Sequence, residues 1–293
     1  MATATSQGDV SRLVVPDSMG QVRKLTRYQL REYLRSRRFV VLIGIVAVIG
    51  VILTSLVAYY RGSIISTNLA FYGSFWGTGV PFVSVLAAII FGGDAIAGEF
   101  QNKTGYFLMG LPLRRATIYA GKYIAAFLAS VAVVLFFLAI LLANGAYYFR
   151  ANALPWQLGV SLVLAIVYLG AVLGVTFLFS SLFKTSAYGF VLTAILFLIG
   201  FTLLGDVITG LVKIEPWMVI SYASSTIGNV FSPSVNWGVT GRLVTSSTPI
   251  GRGMSIVTHT WVAGIAEGIV IMLVYLIVAA AVGLWRFEHE EFS

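Results

Sequence analysis

Long apolar runs separated by short polar stretches dominate the chain. The first, residues 39–60, holds no charged residue over 22 positions and is flanked by Arg38 and Arg61. A helix needs about 20 apolar residues to cross a bilayer, so this run is long enough to span it. Runs at about 75–93, 123–149, 156–183 and 188–204, and a last one bounded by Trp261 and Trp285, complete six expected spans. The tryptophan pair suits the two aromatic belts at the membrane surfaces. Gly170, Gly174, Ala279 and Gly283 lie inside these runs, and small residues let helices approach closely where lipid removes the hydrophobic drive for association.

A different period precedes the first span. At 100° per residue, Lys24, Arg27, Arg31, Arg35 and Arg38 fall on one face of residues 22–38, roughly 80° wide, opposite Val22, Leu25, Leu30 and Tyr33. This predicts a helix lying in the membrane interface, its cations drawn to anionic lipid at about 1 kcal/mol each. A plain orientation signal would look similar. Residues 1–21 show no period and are expected to form a flexible tail.

Composition supports an integral membrane protein. Hydrophobic residues make up 58% and charged residues 10%, where a soluble domain carries about 25% charged residues. Eight of the 19 Lys and Arg precede the first span, so the +8 charge reads as a topology signal and excludes nucleic acid as the expected partner. With the N-terminus inside, Lys103, Arg114, Arg115, Lys122, Lys184 and Arg286 join those eight on one side. Arg61, Arg150, Lys213, Arg242 and Arg252 face the other. That bias places both termini, including a tail at 286–293, in the cytoplasm of a cell membrane protein. With no cysteine, and with His259 and His289 far apart, no metal site is expected.

The polar island at 94–122 carries the functional signal. Its sequence from Gly98, GEFQNKTGYFLMGLPLRRATIYAGK, reads as a short helix, a turn marked by Pro112 and a second helix running through Lys122 into the third span. Gly98-Glu99, Thr104, Leu111-Pro112, Arg114-Arg115 and Gly121-Lys122 together resemble the cytoplasmic signature of type-2 ATP-binding-cassette permeases. The phrase GEFQNKTGYFL is similar to archaeal members grouped with the nitrous-oxide-reductase accessory permease. The resemblance implies an all-α, polytopic protein of six transmembrane helices, with a residue 94–122 coupling helix seated on a separate ATP-hydrolysing subunit. It implies that Glu99, Gln101, Asn102, Lys103, Thr104 and Pro112 meet that subunit, with Arg114 and Arg115 supporting the turn. It also implies a second permease copy, two ATPase subunits and ATP with Mg on those subunits. Lys103-Thr104-Gly105 departs from the Gly-Thr of many members, which shifts the expected helix break.

The chain has no G-x-x-x-x-G-K-[ST] phosphate loop, so it is expected to bind no nucleotide and to have no ATPase site of its own. Glu267 reads as the only acidic residue well inside a span, about six residues past Trp261, where a charge is costly and marks a possible pathway. The external segment 205–260 is too long for a plain connector and reads as short helices over the outer mouth. An exporter subunit is the favoured function. A membrane assembly factor using the same ATPase and an ATP-independent channel or scramblase remain alternatives.

Overall fold

The computed structural model describes residues 18–59, 67–101, 114–150, 154–183, 185–249 and 255–289. The protein is a mostly helical, polytopic membrane protein with six helices long and apolar enough to cross a bilayer. Span 1 is Arg37–Tyr59, span 2 Asn68–Glu99, span 3 Arg115–Phe149, span 4 Gln157–Leu182, span 5 Ser186–Val212 and span 6 Ile265–His289. The helix start of span 6 lies beyond Trp261, which sits instead on a β-strand. Span 3 is one helix of 35 residues, about 52 Å long, against a hydrocarbon layer of about 30 Å. Its first turns therefore stand clear of the apolar layer.

The N-terminal helix spans Ser18–Arg35, four residues earlier than the sequence period begins. Ser36 ends it and starts the next. Its hydroxyl donates to the Tyr33 carbonyl at 2.7 Å and accepts from the Phe39 N–H at 3.2 Å, the local bonding by which serine competes with helix continuation and then caps a new one. Arg38 thus belongs to span 1 and not to the interfacial helix the sequence predicts. The helix packs along span 3. Leu25, Leu30 and Tyr33 rest on the core, while Lys24, Arg27, Arg31 and Arg35 are exposed. The apolar stripe read as facing lipid is covered by protein. Leu25 sits where a Cβ on Gly121 would be, 2.8 Å away, and the Thr26 hydroxyl donates to the Gly121 carbonyl at 3.2 Å.

Spans 2 and 4 form the centre and spans 1 and 5 the rim. In the most apolar 18-residue window, 72% of span 2 is buried but only 22% of span 1 and 11% of span 5. Trp76, Phe137 and Phe177 are fully buried among spans 2, 3 and 4, with Trp76 stacked on Phe137 at 6.1 Å, and Phe91 is buried against Phe39 of span 1 and Tyr33 of the N-terminal helix. Span 6 lies along span 4. Gly174 lets the Leu276 carbonyl come within 3.5 Å of its would-be Cβ, the close approach its small size predicts. Among the buried polar contacts, Asn144 of span 3 donates to the Thr54 hydroxyl of span 1 at 3.0 Å.

The two ends of the bundle differ. The N-terminal helix, the 93–101 stretch and the ends of spans 4 and 6 share one face. Short helices Ile220–Ser224 and Thr226–Asn229 occupy the other, as the sequence predicts. They are held there by a relay in which the Trp76 indole donates to the Ser161 hydroxyl at 3.0 Å, and that hydroxyl donates to the Ile227 carbonyl at 2.5 Å. The sequence reading misses an antiparallel hairpin on this face, β1 (Arg242–Pro249) with β2 (Ser255–Val262), paired from Arg242↔Val262 to Pro249↔Ser255. Strand β2 leans on the end of span 5.

Span 5 begins against the end of span 2, where a Cβ on Gly189 would stand 2.5 Å from the Gly93 carbonyl oxygen. Gly189→Leu is expected to lower the thermal unfolding midpoint in detergent, since forcing atoms into a packed contact costs about 1–3 kcal/mol. Gly159→Leu, at an exposed position with nothing within 4 Å, serves as the control and should leave the midpoint close to that of the wild type. Equal behaviour of the two variants would contradict the close span 2–span 5 contact.

Candidate functional site

The polar residues that the apolar spans exclude converge on the N-terminal face around residues 93–101. Four turn residues follow the helix of span 2, and a short helix, Ala97–Gln101, continues the chain. This segment is bonded to four spans. Asp94 pairs with Arg38 of span 1. Lys122 of span 3 donates to the Ala95 carbonyl at 2.8 Å and pairs with Glu99. Ser180 of span 4 accepts the Ile96 and Ala97 N–H groups, each at 3.0 Å. Gln101 accepts the Ser186 N–H of span 5 at 3.0 Å and its hydroxyl.

Each contact meets a local physical need. At the start of a helix the first backbone N–H groups lack partners, and the Ser180 hydroxyl supplies an acceptor to two of them. Lys122 is buried, its side chain only 6% exposed, and a buried ammonium is tolerated only with close acceptors. The Ala95 carbonyl and the Glu99 carboxylate supply them. Arg38 is more exposed, and its guanidinium also lies over the Phe190 ring of span 5 at 5.9 Å. Tyr33 packs on Phe91 at 5.4 Å. Burial holds its hydroxyl well above the ordinary phenol range, and the nearby Asp94 carboxylate adds to that. It therefore stays neutral beside the ion pairs. A cleft of about 670 Å³ opens between the N-terminal helix and the segment, lined by Tyr28, Glu32, Arg38, Asp94, Glu99 and Lys122 among others.

The residues assigned from sequence to a partner subunit fall into three sets. Glu99 and Gln101 are already engaged within the chain, on Lys122 and Ser186. Arg114 is exposed just before span 3, and Arg115 donates to the Glu288 carbonyl at 2.8 Å, tying span 3 to the end of span 6. Asn102, Lys103, Thr104 and Pro112 lie outside the described residues. The exposed stripe of Lys24, Arg27, Arg31 and Arg35 runs beside this site. Sequence reading missed Ser180, one of a Ser-Ser pair within an apolar run, and Ser186, in the short polar link between spans 4 and 5. It also left Lys122 and Asp94 without their partners.

On the opposite face Glu267 lies in the first turn of span 6 and not deep within it. It accepts the Gly264 N–H at 3.2 Å, the reach-back of an acidic third residue to the helix start. It also reaches Tyr222, which donates to Glu215 at 2.6 Å. Burial, and then the bond to Glu215, push the Tyr222 hydroxyl well above its usual range, so it serves as a donor. Asp206 also falls within a span, because span 5 runs to Val212 and not to residue 204.

A bundle of six apolar helices with a polar, four-way anchored segment on one face defines a multi-pass membrane protein. The ABC-2 family transporter protein model matches residues 32–200, more than half of the 293 residues, from the end of the N-terminal helix into span 5. The chain belongs to that family of permeases. No curated protein sequence matches it.

Replacing Lys122 with Met leaves the Ala95 carbonyl and Glu99 without their cation. It is expected to destabilise the protein by about 1–3 kcal/mol, the cost of an unsatisfied buried group. Lys122→Met with Glu99→Gln should recover part of the loss, because the carboxylate that faced the ammonium is gone. A double-mutant cycle of thermal unfolding reads the coupling, and strictly additive losses would contradict the pair.

Proposed function

We propose that the chain is the permease subunit of an ATP-binding-cassette exporter, driven by a separate ATP-hydrolysing subunit that docks on the N-terminal face at residues 94–122. The observation that carries this reading is the anchoring of 93–101 to spans 1, 3, 4 and 5. A segment bonded to four spans cannot shift alone. A partner that changes its grip on the segment between ATP-bound and ATP-free states therefore changes the energy of two whole-bundle arrangements, which is the differential contact that any driven transition requires.

The roles divide along the segment. Glu99 and Gln101 transmit motion inward to Lys122 and Ser186, while Arg114 and residues 102, 103, 104 and 112 meet the ATPase. ATP and Mg sit on that subunit, and this chain contributes no nucleotide site. The weakly covered spans 1 and 5 supply faces for a second copy, giving two permeases and two ATPases. The Lys and Arg bias supports cytoplasmic termini in the cell membrane, and the basic stripe of the N-terminal helix supports contact with anionic lipid headgroups. On the Gly98–Leu108 phrase we group the chain with the archaeal permeases similar to the nitrous-oxide-reductase accessory permease.

Co-purification from the native membrane tests the docking. Wild-type protein is expected to bring down an ATP-binding-cassette subunit, and Arg114→Glu, which reverses an exposed charge and breaks no described bond, to recover it at least about tenfold less, a loss of about 1.4 kcal/mol. Recovery of no ATPase by the wild type would contradict the proposal.

A further inference from the structure

On the hairpin face two carboxyl groups and a phenol meet with too few protons to bond one another. Tyr222 of the Ile220–Ser224 helix donates to Glu215, in the link after span 5, at 2.6 Å. Glu267, in the first turn of span 6, lies within hydrogen-bond reach of both Glu215 and Tyr222. It also accepts the Gly264 N–H at 3.2 Å. Burial, and then the bond to Glu215, keep the phenol proton on Tyr222, and that proton is already given to Glu215. An ionised carboxylate only accepts. The contact between the two carboxyls therefore requires a second proton, because like charges about 3 Å apart do not both ionise.

No cation stands in for that proton. Among the described residues the ion pairs are Arg38–Asp94 and Lys122–Glu99, both on the opposite face. Lys213, two residues before Glu215, and Arg242, the first residue of β1, pair with neither carboxyl. Asp206 adds a further anion, for it lines with Lys213, Tyr222 and Trp261 a cavity of about 720 Å³ under the hairpin.

The cluster joins parts that the chain keeps apart. Gly241, at the foot of β1, lies so close to the Glu215 carboxylate and the Tyr222 hydroxyl that a Cβ there would strike both. The Tyr275 hydroxyl of span 6 donates to the Met218 carbonyl at 2.6 Å, a second tie between that span and the link. The link, the Ile220–Ser224 helix, the hairpin and span 6 thus meet at the carboxyl pair. Tyr222 also forms part of the cavity wall, so separating the carboxyls would open that wall.

We infer that Glu215 and Glu267 share a proton that latches the hairpin face closed, and that loss of this proton as pH rises releases span 6 from the link and the Ile220–Ser224 helix. The folded state holds a proton that separated carboxyls release, so the contribution of the pair to stability falls as pH rises. Asp94 and Glu99 act with the opposite slope, since acid removes their ion pairs, and they lie on the other face. The latch needs no ATPase.

Amide hydrogen exchange of the full chain in detergent, corrected for the intrinsic effect of pH with an unstructured peptide, tests the latch. From about pH 6 to about pH 9, a range chosen to span release of a shared carboxyl proton, residues 220–224 and 265–268 are expected to exchange at least about tenfold faster through local opening. Residues 168–173 in the centre of span 4 should keep their protection. Glu267→Gln supplies an amide donor in place of the shared proton and should stay protected at both pH values, as should Glu215→Gln. An unchanged rate in the wild type, or the wild-type response in both amide variants, overturns the proposal. Faster exchange at 168–173 in step with 220–224 would make the event global unfolding and overturn a local latch. Restored protection on adding calcium at the higher pH would place a metal ion between the carboxyls and overturn the proton assignment.

Discussion

The ammonium of Lys122 is the constraint around which the N-terminal face is arranged. A lysine placed near the start of an apolar helix and closed off from water requires acceptors at fixed positions. Here they are the Ala95 carbonyl and the Glu99 carboxylate. Holding them there sets where span 2 ends and how the chain turns toward Gln101. That turn brings the Ile96 and Ala97 N–H groups onto Ser180 and Asp94 onto Arg38. The N-terminal helix then closes over the same region, with Leu25 against Gly121 one residue before the lysine. The contacts that satisfy a buried charge therefore also join the segment to the spans.

The remainder of the bundle divides between fixed and free surfaces. Spans 2 and 4 fill the centre with aromatic packing, and span 6 adds to it through small residues on span 4. Spans 1 and 5 present most of their apolar surface outward, and span 5 carries two π-helical stretches. Span 5 is also tied to the segment through Ser186. The N-terminal face is thereby connected to the helix whose far end forms the cavity under the hairpin.

Much of this was legible in the sequence. The six apolar runs gave six spans because only a helix satisfies its own backbone in lipid, and the alternation of charge before residue 39 gave a separate helix. What remained hidden has definite causes. The spans are apolar on all sides, so no periodicity told which face of span 2 was buried, and the apolar stripe of the N-terminal helix reads the same whether it rests on lipid or, as Leu25 and Tyr33 do, on protein. Helix ends were misplaced where a polar residue continued a helix, as with Asp206 in span 5. They were also misplaced where an aromatic read as a span boundary stood on a strand, as with Trp261. The hairpin escaped because β1 and β2 lie within a Ser- and Thr-rich stretch that carries no alternating apolar pattern. Partner choice was the least readable property: Glu99 looks the same in sequence whether it meets another subunit or Lys122.

On the proposed function, residues 93–101 and the spans bonded to them move as one body when the ATPase works. The chain has no cysteine, so spin labels can be placed at will on the exposed Tyr28 of the N-terminal helix and Tyr188 of span 5. In the assembled complex, pulsed dipolar spectroscopy should give the same Tyr28–Tyr188 distance within one copy in nucleotide-free and ATP-trapped states, while the Tyr188–Tyr188 distance between copies changes. A within-copy distance that shifts with nucleotide while the between-copy distance stays fixed would contradict rigid transmission through the Lys122-centred segment.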